Sequence, residues 1–156
     1  MKKIFIAVDT TDLKKAKKII NQSQTKKIKI GYKFGLEFMN SKNGRNFVSK
    51  LRNKIIFVDL KLCDTVNTML SAVKALKDLK INYLTVHISS GLTALKAVKK
   101  VSRCKIVGVS TLTSLDNKDL KTIGYHRSVK NLVAHQARLA KKAGLDALVC
   151  SPHEVN

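Results

Sequence analysis

The sequence predicts an α/β fold in which helices cover a parallel sheet, and three observations support this class. Short β-branched runs alternate with longer amphipathic stretches along the chain. The short runs are almost continuously apolar, as expected of strands that are buried on both faces. The chain has 156 residues, of which 44% are hydrophobic, and this suits one domain with a sizeable core.

Six runs are predicted to be strands: residues 4–8, 27–31, 55–60, 83–88, 105–110 and 145–150. Helical patterns lie between these runs. Asp12 can cap a first helix, and the same apolar spacing recurs over residues 66–79, 92–101 and 128–143. Gly144 is placed to end the last of these helices. No linker or low-complexity segment is visible, so residues 1–156 are expected to form a single domain.

The net charge of +21 raises the question of nucleic-acid binding. The lysines are spread over every predicted helix, arginine is scarce, and no stacking-aromatic motif accompanies the charge. This pattern is typical of solvated outer helix faces, so no nucleic-acid partner is expected.

No run of about 18 apolar residues occurs, and Asp9 comes too early for a signal peptide, so we expect a cytoplasmic protein without a membrane partner. The cysteines are odd in number and far apart: Cys63, Cys104 and Cys150. Each lies in or beside an apolar run. This pattern favours reduced, buried thiols over disulfides or a metal site.

Two architectures fit six strand–helix repeats, the open doubly wound sheet and the TIM (β/α)8 barrel. The first strand is followed by AVDTTDLKK, which lacks the Gly-rich turn of a nucleotide-binding open sheet. Polar residues instead end several predicted strands: Asp9, Lys29, Asp59 with Lys61, His87, and residues 110–113. Functional groups drawn from many strand ends are typical of the barrel. The chain is therefore expected to be of (β/α)8-barrel type, with about six of the eight βα units.

The stretch FVDLKLCDTVNT, residues 57–68, places charge at the end of a buried strand. Strand alternation points Asp59 and Lys61 the same way, and Asp64 follows in the loop. Such charges persist only as a paired network, which is either structural or functional. The further charges of Asp9 and Lys29 at neighbouring strand ends favour a functional site.

These residues resemble the Asp-x-Lys-x-x-Asp signature of the orotidine 5′-phosphate decarboxylase family. Further segments resemble that family in the same order: AVDTTD, IKIGYKFG, TVHISSG, VGVSTLTSLD and GLDALVCSPHE. The resemblance covers essentially the whole chain. It departs at Cys63, where the bacterial enzymes often carry His, and at Thr65-Val66, which replaces Ile-Pro.

The resemblance implies loss of CO₂ from orotidine 5′-phosphate to give UMP, the last step of pyrimidine nucleotide synthesis, without a cofactor or a metal. It assigns catalytic roles to Asp59, against the substrate carboxylate, and to Lys61, as proton donor to C6. It further implies that Lys29 holds Asp59 and contacts the ribose, that Asp9 binds a ribose hydroxyl, that Thr113 contacts the pyrimidine, and that Asp64 and Thr68 reach the site of a partner subunit in a homodimer. His87 is a candidate substrate-binding residue, although a strand-end histidine bonded to backbone is the simpler interpretation.

Six strands fall short of the eight that a barrel needs, so the chain resembles the N-terminal three-quarters of such a decarboxylase. The loops of the last two units, which grip phosphate in this family, are not recognised in the sequence. Two alternatives stay open. One is a related sugar-phosphate decarboxylase or aldolase with the same charged core, and the other is a basic RNA-binding module without catalysis.

Overall fold

The computed structural model describes residues 3–154, within which six strands alternate with seven α-helices. The strands are β1 Lys3–Ala7, β2 Lys29–Gly35, β3 Ile55–Leu62, β4 Tyr83–His87, β5 Lys105–Val109 and β6 Ala147–Val149. The helices are α1 Leu13–Gln22, α2 Leu36–Asn40, α3 Gly44–Lys50, α4 Val66–Ala75, α5 Gly91–Val101, α6 Asn117–Thr122 and α7 Val129–Ala143. This order confirms the predicted alternation of strands and helices.

The strands are hydrogen-bonded in the order of the sequence, from β1 to β6. The pairs β1–β2, β2–β3 and β5–β6 are parallel. A doubly wound sheet reverses its strand order at a switch point, whereas a barrel adds each strand beside the previous one. The sequential order therefore excludes the open-sheet alternative.

The chain divides into two compact units. The first unit comprises Met1–Leu60 with Ala75–Leu84, and the second comprises Lys61–Lys74 with Thr85–Asn156. The three boundaries fall inside β3, α4 and β4, so none coincides with a linker.

Aromatic side chains form much of the core of the first unit, which contains all five phenylalanines of the chain. The rings of Phe34, Phe38 and Phe47 lie with centroids 4.9 to 6.3 Å apart. Phe5, Phe57 and Tyr83 form a second cluster, with centroids 5.0 to 5.7 Å apart. Edge-to-face contacts of this kind stabilise a core beyond simple area burial.

In the second unit, α5 and α7 carry buried aliphatic side chains and pack against each other, and α7 also packs against β6. Helix α7 begins after Ser128, whose hydroxyl accepts a hydrogen bond from the Asn131 N–H, and ends at Gly144 in the left-handed conformation. Both ends agree with the sequence prediction. Asp146 lies directly before β6 and links it to two other elements of this unit, because its Oδ2 accepts hydrogen bonds from Lys99 of α5 and from the Ile106 N–H of β5.

Several elements differ from the prediction. Strand β2 runs from Lys29 to Gly35 and not over residues 27–31. The helix predicted over 66–79 is α4 followed by a short 3-10 turn, Lys77–Leu79, which ends at Lys80 with φ of 47°. The short helices α2, α3 and α6 were missed, because five to seven residues are too few for an apolar period to show.

The cysteines are free in the described part of the chain. Cys104 and Cys150 are partly buried, but Cys63 is exposed in the loop after β3, so the prediction that it is buried is wrong. Among residues 3–154, no helix is both long enough and apolar enough to cross a membrane.

Candidate active site

In the first unit, charged side chains meet at the carboxyl ends of β1, β2 and β3. The Lys33 Nζ lies 3.2 Å from Oδ2 of Asp59. The Asp59 side chain is 10% exposed and that of Lys33 is 30% exposed. A carboxylate with so little access to water needs a compensating charge, and the Lys33 ammonium supplies one.

Lys33, and not Lys29 as the resemblance implied, is the lysine that pairs with Asp59. Lys29 is exposed at the first position of β2, where it pairs in register with Lys3. Lys33 lies four residues later on the same face, near the end of the strand where Gly35 pairs with Asp59. Because β2 extends to Gly35, its carboxyl end carries Lys33 and not Lys29.

Asp9 lies at the same end of the unit. It follows β1, and the Val8 N–H beside it donates to the Lys33 carbonyl at 2.9 Å. A Cβ placed on Gly35 would lie 3.9 Å from Oδ1 of Asp9, so the two residues are neighbours. The structure thus brings Asp9, Lys33 and Asp59 together, with the Asp9 side chain exposed.

In the second unit, Lys61 has a backbone conformation that few L-residues adopt. Its φ is 48°, in the left-handed region, although it lies within β3. This conformation costs about 1–2 kcal/mol for a residue with a side chain. The Lys61 N–H donates to Oγ1 of Thr85 at 2.8 Å. Since the backbone at Lys61 is not extended, strand alternation does not determine where its side chain points.

His87 ends β4 and is half-buried. Burial, and then the positive charge of Lys61, hold the pKa of His87 below its usual value. Its Nδ1 accepts from the Ser89 N–H at 3.4 Å, the backbone partner that the sequence suggested, and lies 2.5 Å from the Ser89 hydroxyl. The same hydroxyl is 3.7 Å from Sγ of Cys63. The site therefore presents a neutral imidazole close to the Lys61 charge at neutral pH.

The remaining predicted residues of this unit are exposed. Asp64 accepts a hydrogen bond from the Thr65 N–H at 2.6 Å, and the Thr68 hydroxyl lies 3.0 Å from that of Thr65. Thr113 lies in the segment after β5. These contacts shape the loop that begins α4, and the proposed roles of Asp64, Thr68 and Thr113 stay predictions.

Sequence reasoning missed a buried polar contact in this unit. Oε1 of Gln136 in α7 accepts from the Thr111 N–H at 2.7 Å and from the Thr111 hydroxyl at 3.1 Å. Both residues line a cavity of about 220 Å³ together with His87 and Ser89. Thr111 lies within the polar run 110–113, but Gln136 could not be found, because its helical pattern resembles that of an outer face. Among residues 3–154, no three His, Cys, Asp or Glu side chains are grouped to hold a metal ion.

Comparison with known proteins gives consistent results. The family model described as orotidine 5′-phosphate decarboxylase / HUMPS matches residues 2–156. The orotidine 5′-phosphate decarboxylase of Wolbachia sp. subsp. Brugia malayi (strain TRS) is 42% identical to this chain over 160 residues. That alignment covers 99% of this chain and 69% of the relative. The enzyme of the same name from Coxiella burnetii (strain RSA 331 / Henzerling II) is 35% identical, over 97% of this chain and 67% of the relative.

A solved structure shows the same fold. The crystal structure of orotidine 5′-phosphate decarboxylase from Lactobacillus acidophilus superimposes with a TM-score of 0.87 at 28% sequence identity. The superposition covers 97% of this chain and 72% of that one. Together with the sequential strand order, this likeness confirms the predicted (β/α)8-barrel class, of which the described residues contain six strands.

Proposed function

This chain belongs to the orotidine 5′-phosphate decarboxylase / HUMPS family, and we propose that it converts orotidine 5′-phosphate to UMP and CO₂ without a cofactor. The observation that carries the proposal is the nearly buried Lys33–Asp59 ion pair, with Lys61 two residues further along the same strand. Several fixed charges at the ends of parallel strands can supply the electrostatic stabilisation that this reaction needs. The reaction would complete pyrimidine nucleotide synthesis, and we propose that it takes place in the cytoplasm.

The chemistry explains why fixed charge is required. When the bond from C6 to the carboxylate breaks, the electron pair stays on C6, where no carbonyl group is placed to delocalise it. Preorganised charge is the form of stabilisation that remains. In this proposal the Lys61 ammonium attracts the developing carbanion, donates a proton to C6, and regains a proton from solvent.

Asp59 would lie against the substrate carboxylate, where the repulsion between the two anions decreases as CO₂ leaves. Lys33 would then hold Asp59 in place and contact the ribose, the role that the sequence analysis assigned to Lys29. The exposure of Asp9 and its position beside the ion pair support its role as a ligand of a ribose hydroxyl. Thr113 is proposed to contact the pyrimidine, and His87 to line the substrate site.

A homodimer is part of the proposal. Asp64 and Thr68 are both exposed at the loop that begins α4. Residues that complete the site of a second copy must be accessible on a single chain, and these two meet that condition. We therefore propose that each subunit supplies Asp64 and Thr68 to its partner.

The test follows the ultraviolet absorbance of orotidine 5′-phosphate with the purified protein and with two lysine variants. We expect turnover by the unmodified protein. We expect Lys61→Ala to reduce kcat by at least about 10²-fold, because a positioned proton donor usually contributes about 10²–10⁴-fold. Lys29→Ala is the matched control, since it removes the same charge from an exposed position of the neighbouring strand, and it should retain activity.

Three outcomes would contradict the proposal. Absence of turnover by the folded protein would do so directly. Turnover of a ketose phosphate, with orotidine 5′-phosphate ignored, would identify the related sugar-phosphate branch of the family. Salt-sensitive RNA binding that survives Lys61→Ala, without any turnover, would identify a basic binding module.

A further inference from the structure

The left-handed backbone of Lys61 requires local support. A lysine with φ of 48° inside a strand relaxes to an extended conformation unless neighbouring groups hold it. Strained backbone of this kind is found at functional sites, where it directs a side chain that a regular strand would point elsewhere. The left-handed backbone at Lys61 therefore needs a neighbouring group that holds it.

Thr85 is that group. It lies in β4, is fully buried, and its hydroxyl oxygen accepts a hydrogen bond from the Lys61 N–H at 2.8 Å. The adjacent residues Leu84 and Val86 are apolar and equally buried. A hydroxyl at such a position costs desolvation free energy unless it is hydrogen-bonded, and valine has the same shape without that cost. The hydrogen bond from the Lys61 N–H therefore gives this buried hydroxyl a role that apolar packing would not require.

A second observation links the Lys61 charge to the same strand. The positive charge of Lys61 acts on the imidazole of His87, which lies two residues after Thr85 and so on the same face of β4. Strand β4 thus holds the Lys61 backbone through Thr85 and carries the imidazole on which the Lys61 charge acts. Lys61, Thr85 and His87 all belong to the second unit.

We propose that Thr85 is a positioning residue for the reaction: its hydroxyl fixes the left-handed backbone of Lys61 and so directs the ammonium group towards C6 of the substrate. This inference rests on the proposed function. Thr85 is fully buried, and this role does not require it to touch the substrate. Its effect falls on the rate of the chemical step and not on substrate binding.

The test compares three variants of the whole chain. Thr85→Val removes the acceptor and keeps the shape, and Thr85→Ser keeps the acceptor. Val86→Ala is the control for general weakening of β4, because Val86 is equally buried but points to the opposite face. Circular dichroism establishes the temperature range in which each variant is fully folded, and kinetics are measured within it.

We expect Thr85→Val to lower kcat by about 10- to 100-fold with KM unchanged, as for a small misplacement of a catalytic group. Thr85→Ser should restore most of the activity. Val86→Ala should lower the melting temperature but keep kcat. Equal loss of kcat in Thr85→Val and Val86→Ala, or no loss in Thr85→Val, would overturn the inference.

Hydrogen exchange of the Lys61 amide, measured by NMR, provides a readout that does not depend on activity. Exchange should be faster in Thr85→Val and close to that of the unmodified protein in Thr85→Ser. Absence of turnover by the unmodified protein would contradict the proposed function. Hydrogen exchange of the Lys61 amide would still test separately whether Thr85 holds this backbone. Unchanged exchange in Thr85→Val would show that the hydroxyl does not hold this backbone.

Discussion

At the scale of single residues, the Lys33–Asp59 pair explains how a carboxylate is held where water is scarce. Replacing Lys33 with Gln removes the ammonium group that lies 3.2 Å from this nearly buried carboxylate. We expect Lys33→Gln to lower the free energy of unfolding by about 1–3 kcal/mol. We also expect it to lower kcat/KM by about 100-fold, because Asp59 loses its fixed position. Urea unfolding and substrate kinetics measure the two effects.

Lys29→Gln is the matched control for this experiment, because it makes the same substitution in the same strand at an exposed position. It should change neither stability nor kcat/KM appreciably. A larger effect of Lys29→Gln than of Lys33→Gln would restore the original assignment of Lys29.

The charge of Lys61 should be visible in the titration of His87. Burial and the Lys61 charge both lower the pKa of His87, so Lys61→Met should raise it part of the way back towards its usual value of about 6.5. NMR titration of the His87 ring signals in the two proteins measures the difference. An unchanged His87 pKa in Lys61→Met would show that the ammonium does not act on the imidazole.

The same shift has a defined effect on stability. Because the folded pKa of His87 lies below the unfolded value, the unfolded chain binds the proton first as the pH decreases. The contribution of His87 is therefore complete above about pH 6.5 and is lost as the pH falls through the folded pKa. In Lys61→Met this loss should be smaller.

The sequence locates most of the site residues but not their geometry. Lys-x-Gly occurs twice, at 29–31 and at 33–35, and both lysines lie on one face of β2. Only the length of the strand decides which lysine reaches the carboxyl end, and strand ends are the least certain part of a sequence prediction. The left-handed backbone at Lys61 has no sequence signal at all, since a lysine in an apolar run predicts an extended strand.

At the scale of elements, Asp146 connects α5, β5 and the start of β6. Partial burial raises the pKa of Asp146. The hydrogen bonds from Lys99 and from the Ile106 N–H outweigh this effect and hold the pKa below its usual range. Asp146→Asn keeps an oxygen to accept from Ile106 but removes the charge. We expect it to lower the free energy of unfolding at neutral pH by up to about 1 kcal/mol.

The pH dependence of this difference follows from the lowered pKa. The contribution of the Asp146 charge is present above the unfolded pKa of about 3.9 and is lost as the pH falls through the folded pKa. Urea unfolding of both proteins at neutral and acidic pH should show the difference shrinking with acidity. Asp78→Asn is the control, because it removes the charge that pairs with Arg45 and the Asp78 side chain is 60% exposed. It should change the free energy of unfolding little at either pH.

Elements were predictable where a full apolar period and both end signals coincide. Helix α7 has fifteen residues, Ser128 at its start and Gly144 at its end, and its bounds follow from the sequence. Helix α6 has six residues, and its capping box of Asp116 and Asp119 uses Asp where Glu or Gln is usual, so its signal is weak.

At the scale of the whole molecule, the net charge of +21 destabilises the folded state, because the positive side chains repel one another. Salt screens this repulsion over a distance of about 10 Å at about 0.1 M. We expect the urea midpoint to rise as ionic strength increases from about 0.01 M to about 0.5 M. NaCl and KCl should act equally, because screening depends on ionic strength. A midpoint that stays flat or falls would show that the ion pairs outweigh the repulsion.

The order of strands and helices over the whole molecule follows from the alternation of periods in the sequence. The division into two units does not. Its three boundaries fall inside regular elements: between Leu60 and Lys61 in β3, between Lys74 and Ala75 in α4, and between Leu84 and Thr85 in β4. No change of composition marks these positions, and the single domain stays a prediction.

At Lys61, the residue that would best stabilise the fold conflicts with the residue that the proposed activity needs. Glycine or asparagine suits a left-handed backbone better than lysine does, so either replacement should raise the melting temperature while removing the proposed proton donor. A directed-evolution experiment that selects for heat resistance alone should therefore discard this lysine early. Lineages kept under selection for pyrimidine synthesis should retain it and acquire their stability elsewhere in the chain.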